Sequence, residues 1–473
     1  MIFSLFGLIY ILVIAYFIIK GTNCFFNILL LSAVADLFFD MGFVFSISGK
    51  ALDYCELPRH VMFLYCILQL FKGNMVISKV WVALVICCVL PIALLYFFPS
   101  DVSVANYLVS WDEILMDGET PIHPVVDGYV LSQTRVFITS SMILLYAYQS
   151  FTIDDYMKFI LKLRHFVDIF LVLGFIEFIA KNILGLNSAW GNLMKFLWGE
   201  NDALYESEMN RGSFYDLNLF TREPSHWAYS LFVCAVIIFA TDIIVGRRSG
   251  YSKSMLLCMV LMALSLSFSS VLFLASFILL WIIYRWYLLK PKTVSLEKKL
   301  VMMFLGVVFM LGASFLLLFP DNLFASRLLF IFDNFGLLFS ADDNLLFLGA
   351  DNGSNFSVVI RLFSIVKTLL VSFYRPLCGF SLGAMTCHGS TILLLSGIGV
   401  MGLYVWTYFV FYTIPLKMYA RPVSRLFACS IIIYLGVNIF NSLALRPFYD
   451  LTLFIIVVSF LFIFQCKKTY SYL

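Results

Sequence analysis

The sequence predicts an all-α polytopic membrane protein with about twelve transmembrane helices, and three observations carry that expectation. Hydrophobic residues make up 62% of the 473 and charged residues only 12%, a balance foreign to an ordinary soluble chain. The mean hydropathy of +0.97 agrees. Apolar runs long enough to cross a bilayer recur along the chain, and Lys and Arg cluster in alternate connections between them. A net charge of +3, with no extended basic tract and no phosphate-cradling glycine motif, gives no ground for a nucleic-acid partner.

Taken in order, the candidate spans are 2–19, 24–45, 77–98, 131–150, 165–184, 226–245, 255–289, 300–319, 389–412, 426–444 and 449–465. The opening twenty residues lack a basic n-region and a small-residue cleavage site, so they read as a retained first helix. Residues 57–71 are short for a span and either cross, which puts the N-terminus outside, or lie along the interface, which puts it inside. The run 255–289 is too long for one crossing, and its small, polar middle LSLSFSS, Leu264 to Ser270, predicts two helices meeting at a tight turn. Arg247, Arg248 and Lys253, then Arg285, Lys290, Lys292, Lys298 and Lys299, then Lys417, Arg421 and Arg425 mark the cytoplasmic connections. Lys467 and Lys468 place the C-terminus with them.

The opposite side receives three longer segments, 99–130, 186–225 and 320–388, the first acidic from Asp101 to Asp127 and without Lys or Arg. The chain thus divides into N-terminal helices (1–150), central helices with the loop 186–225 (151–319), a large loop (320–388) and C-terminal helices (389–473). Chain spent so unevenly on one face predicts that the work is done there. The eleven cysteines show no CxxC pair or metal-ligand spacing and read as small buried hydrophobes, except Cys378 and Cys387, which are either a disulfide or two free thiols. Asp342 and Asp343 lack the spacing of a metal site, and no metal or cofactor is expected.

Two of the loops carry candidate chemistry. In the first, Arg211 precedes Arg222, Glu223, Pro224 and Ser225, and Pro224 and Ser225 look like a helix start with Glu223 where the helix dipole favours negative charge. The plain reading is a cap with arginines reaching to headgroups. In the second, residues 355–375 form an amphipathic pattern with Arg361 in its first half and Lys367 and Arg375 behind it. Gly379, Gly383 and His388 follow, before an apolar helix with small residues at Ser396, Gly397, Gly399 and Gly402 that permit close packing. Read singly, Arg361 is a phospholipid contact and His388 an interfacial residue. Asp36 and Asp40 share a face of the second span, and pairing with an arginine inside the bundle is the preferred account of them. His60, His123 and His165 read as structural.

Together, an Arg followed by EPS leading into a helix, and an Arg followed by glycines and a His leading into a small-residue helix, resemble the O-antigen polymerases called Wzy, which are related to the O-antigen ligases. The resemblance covers roughly residues 165–412. The second loop departs from the family's G-x-G and S-H-N or S-H-S pattern, reading Gly379-Phe-Ser-Leu-Gly383 and Thr386-Cys387-His388-Gly389-Ser390. The resemblance implies a GT-C-like glycosyltransferase of the bacterial inner membrane, with two large periplasmic loops containing short helices. It would move a nascent glycan from undecaprenyl diphosphate to a second lipid-linked repeat unit. Its partners would be those two oligosaccharide lipids, the surrounding membrane lipids and a chain-length regulator of the Wzz type.

Such chemistry needs a cation to hold the departing diphosphate and a base for the attacking hydroxyl. For the first the candidates are Arg361, then Arg211, with Arg222 and Arg327 in support. For the second they are His388 and Glu223, with His226 either orienting Glu223 or meeting the diphosphate or a headgroup. The alternatives are a ligase, which would use lipid A core as acceptor, and a lipid-linked oligosaccharide flippase.

Overall fold

The computed structural model describes residues 2–21, 23–39, 43–47, 50–99, 126–198, 210–211, 214–215, 217, 219, 224–245, 252–265, 270, 273–278, 280–281, 365–366, 368–384, 389–412, 454–460 and 463. The protein is mostly helical. A short strand β1 (Ile2–Phe3) leads into helices α1 (Leu5–Lys20) and α2 (Cys24–Phe38). Strands β2 (Phe43–Ile47) and β3 (Lys50–Asp53) and helix α3 (Glu56–Phe71) follow. Then come α4 (Lys79–Phe97), α5 (Gly128–Ser150) and α6 (Ile153–Phe178), which continues into a π-helical turn at Ile179–Ile183. Beyond it lie α7 (Asn187–Trp198), the ribbon β4 (Asn210–Arg211) and β5 (Phe214–Tyr215), α8 (Pro224–Ile244), α9 (Lys253–Leu264) and α10 (Ser390–Tyr412).

Four helices are long and apolar enough to cross a membrane: α4, α5, His226–Ile244 of α8 and Ser390–Val410 of α10. Large apolar side chains stand exposed on the outer helices, among them Leu12 (69%), Ile19 (85%) and Phe71 (84%), as a hydrocarbon solvent demands. The centre is α8, whose apolar window is 94% buried. It packs against α2, α6 and α9. Phe38 stacks on Phe170 with centroids 3.8 Å apart. Gly174 lets Trp227 close in, since a Cβ there would lie 2.9 Å from the indole Cζ2.

Local sequence accounts for the helix starts. Ser4, Ser78, Asp127 and Ser252 each accept a backbone N–H of the first turn. At α6, Thr152 and Asp155 form a reciprocal capping box. The hydrogen bonds from Thr152 hold the Asp155 carboxyl below its ordinary range. This cap starts α6 twelve residues ahead of the apolar run predicted at 165, because polar first turns do not register in a hydropathy window. Arg164 then grips both oxygens of Asp168 at 3.0 Å and reaches Thr241 of α8 at 3.2 Å.

Two expectations are corrected. The chain is not wholly α-helical: β1, β2 and β3 make an antiparallel sheet in that order, and β4 pairs with β5. The span predicted over 24–45 is a helix only to Phe38. Its fifteen residues rise about 22 Å, and the aromatic and β-branched stretch after it pairs as a strand instead. The predicted division of 255–289 is found, with α9 ending at Leu264 and helix present again at Ser270, residues 266–269 lying outside the described ones. Residues 454–460 are helical within the run 449–465, while the runs 300–319 and 426–444 lie outside the described residues.

Residues 57–71 fall within α3, which packs against α5. Helix α3 runs alongside α5: its first turns face Arg135–Thr139, and beyond its end the Val76 N–H donates to Gln149 Oε1 at 3.0 Å. α3 therefore begins at the same end of the bundle as α5. Pairing of β1 with β2, which precedes α3 through β3, brings Ile2–Phe3 to that end too.

Candidate functional site

The described flanks of the three long loops meet that one end of the bundle. The end of α2 is tied to the start of α8 by the Ser230 hydroxyl, which donates to Leu37 O at 2.5 Å. The end of α4 is tied to the second loop by Arg375, whose guanidinium donates to Phe98 O and lies 5.3 Å from the centre of the Phe380 ring. Helix α7 packs on α1 at this end, so the loop 186–225 contains a short helix as predicted.

The first loop is clamped from beneath. Glu177, fully buried, holds Lys181 Nζ at 2.7 Å and accepts the backbone N–H of Leu219 at 2.8 Å with its other oxygen. The π-helical turn Ile179–Ile183 contains Lys181, and such turns mark places where a helix departs from regularity for a local purpose. Leu219 itself adopts φ 44°, a left-handed conformation that a branched side chain resists. Buried charge and backbone strain thus converge on the segment joining β4, which carries Arg211, to α8. Glu177 and Lys181 escaped the sequence reading. Their signal was an i, i+4 pair of opposite charges inside an apolar run.

The second loop is knotted into α10. That helix breaks at Gly399, where φ is 66° and ψ −176°. The loop supplies what the break leaves unpaired: Phe380 N–H donates to Ser396 O and Ser381 N–H to Gly397 O, each at 2.8 Å, and the N–H groups of Val400 and Met401 donate to Pro376 O and Leu377 O at 2.8 and 3.2 Å. Backbone at membrane depth is viable only when satisfied in this way. Gly379 and Gly399 are indispensable to the crossing. A Cβ on Gly379 would lie 2.5 Å from Ser396 O, and one on Gly399 would strike the Leu377 carbonyl. α10 packs closely on α4, and two of its small residues, Gly397 and Gly399, also admit the loop.

Pro224 opens α8, in agreement with the sequence. His226 stands half-buried in the first turn. Arg211 is placed at the level of its backbone, paired with Phe214. Arg222, Glu223, Arg327, Arg361 and His388 lie outside the described residues, as do Asp40, His123 and Cys387. Asp36 meets Arg59 at 3.8 Å, with side chains 0% and 8% exposed, the pairing with an arginine inside the bundle expected of it. Cys378 is a free thiol. Among the described residues no group of three or more His, Cys, Asp or Glu is placed to hold a metal.

No family model matches the chain, and no curated protein or solved structure matches it significantly. The class that fold and site define is a mostly helical membrane protein with loop-bearing segments anchored at one end of its bundle.

Proposed function

We propose that the protein is an O-antigen (surface polysaccharide) polymerase with about twelve transmembrane helices and a GT-C-like arrangement, working at the periplasmic face of the bacterial inner membrane. It would transfer the nascent glycan from undecaprenyl diphosphate to the non-reducing end of a second lipid-linked repeat unit. The observation that carries this reading is the gathering of both loop anchors at one end: the Glu177–Lys181 clamp under the first loop and the Gly399 break holding the second. A lipid diphosphate sits at headgroup level with its tail among helices, so a site built from helix mouths and loop bases meets it where it is. Arg361, Arg211, Arg222 and Arg327 would hold the diphosphate, and His388 or Glu223 would accept the hydroxyl proton, with His226 beside them.

Asp36 is paired with Arg59, which supports the reading of that carboxylate as structural over a coupling-ion role in a flippase, while Asp40 lies outside the described residues. The test is the polysaccharide profile of a strain lacking the protein. A surface glycan reduced to a single repeat unit supports the polymerase. Loss of all glycan from the lipid A core points to a ligase, and repeat units trapped on the inner face point to a transporter.

A further inference from the structure

A cleft of about 300 Å³ lies between α3 and α5, lined by Glu56, Arg59, His60, Phe63, Arg135 and Thr139 among others. Its charges are not equivalent. Arg59 is buried and engaged by Asp36. Arg135 is exposed, and its guanidinium makes no ion pair or hydrogen bond among the described residues; only its backbone carbonyl is used, by Thr139. Arg135 follows the start of α5 by seven residues, about 10 Å along the axis, in a helix apolar enough to span. A guanidinium stays charged at that depth and must find an anion. Glu56 lines the same cleft without pairing to it. His60 donates Nδ1–H to Glu56 O at 2.7 Å, which leaves Nε2 as its remaining ring nitrogen.

Below these groups α3 carries an apolar strip. His60, Leu64, Leu68 and Phe71 fall on one face of α3, and the last three are 60%, 56% and 84% exposed. From His60 to Phe71 the strip runs about 16 Å. A cation above a strip of hydrocarbon-facing side chains has the shape of a phospholipid's complement.

We infer that the α3–α5 cleft binds an anionic phospholipid, its phosphate held by Arg135 and its acyl chain lying along Leu64, Leu68 and Phe71. The site uses none of the residues assigned to glycan transfer and stands whether or not that transfer occurs. Dissolved phosphate is the poorer occupant, because the cleft opens among side chains that face hydrocarbon and a free ion would have to leave water to reach it. Glu56 opposes any anion there and so sets a second, opposite expectation.

The test is native mass spectrometry of the full-length protein in detergent, titrated separately with phosphatidylglycerol, phosphatidylcholine and inorganic phosphate. The wild type is expected to retain one phosphatidylglycerol in preference to phosphatidylcholine. Arg135→Gln should weaken that binding by about tenfold or more, the worth of a charge-assisted contact. Glu56→Gln should tighten it. Equal binding of the two lipids by the wild type, or unchanged binding by Arg135→Gln, overturns the proposal. So does displacement of the lipid by inorganic phosphate at comparable concentration, which would mark a site for a dissolved anion. The lipid comparison and the Glu56 variant decide the matter even if Arg135→Gln fails to fold.

Discussion

Glu177 and Lys181 show what a buried charge does at a loop base. Each side chain alone would be intolerable in the core, and together they fix the backbone of Leu219. Glu177→Ala should cost about 3–5 kcal/mol, because it strands a buried ammonium and an amide at once. The double change Glu177→Met with Lys181→Met should cost less than Glu177→Ala alone, since it removes both charges. Thermal unfolding in detergent compares the two. At the other end of α6, the folded pKa of Asp155 lies below its unfolded value, so its contribution is fully present above the unfolded pKa and is lost as pH falls through the folded one. Thr152→Ala should therefore cost about 0.5–2 kcal/mol at neutral pH. It should also flatten the acid side of the stability profile, read by unfolding between neutral and acid pH.

Among the elements, α10 is the most revealing, because its break turns a spanning helix into the support of a loop. Gly379→Ala and Gly399→Ala should each destabilise by at least about 1–3 kcal/mol from backbone strain alone, with steric overlap added. Gly191→Ala, on α7 with open space around its Cβ, should instead be neutral or stabilising by about 0.5–1 kcal/mol. Thermal melts of the three variants side by side check the contrast. The limits of hydropathy are also visible at this scale. The runs at 77–98 and 131–150 became α4 and α5 nearly as read, because lipid-facing helices differ from their flanks in composition. The run at 24–45 failed, because a window that counts apolar residues cannot distinguish a buried helix from the strand Phe43–Ile47 that continues it. Nor did composition reveal the break at Gly399, since its cause is a loop distant in sequence whose N–H groups complete the helix.

At the scale of the whole molecule, the bundle brings the bases of distant segments to one end, and the proposed chemistry depends on that convergence. Part of it was legible: the Pro224 helix start stood in the sequence, while the acidic loop and most of the basic connections lie outside the described residues. The tie from Glu177 to Leu219 was not, because forty-two residues separate the partners and only the packed fold joins them. The most direct measurement of the central claim is polymerisation by the purified protein from lipid-linked repeat units alone, without nucleotide sugar or lipid A core. The account predicts a ladder of lengthening lipid-linked glycans from the wild type, and none from Arg361→Ala or His388→Ala proteins that fold normally. A ladder from those variants equal to that of the wild type, or no extension by the wild type at all, would contradict it.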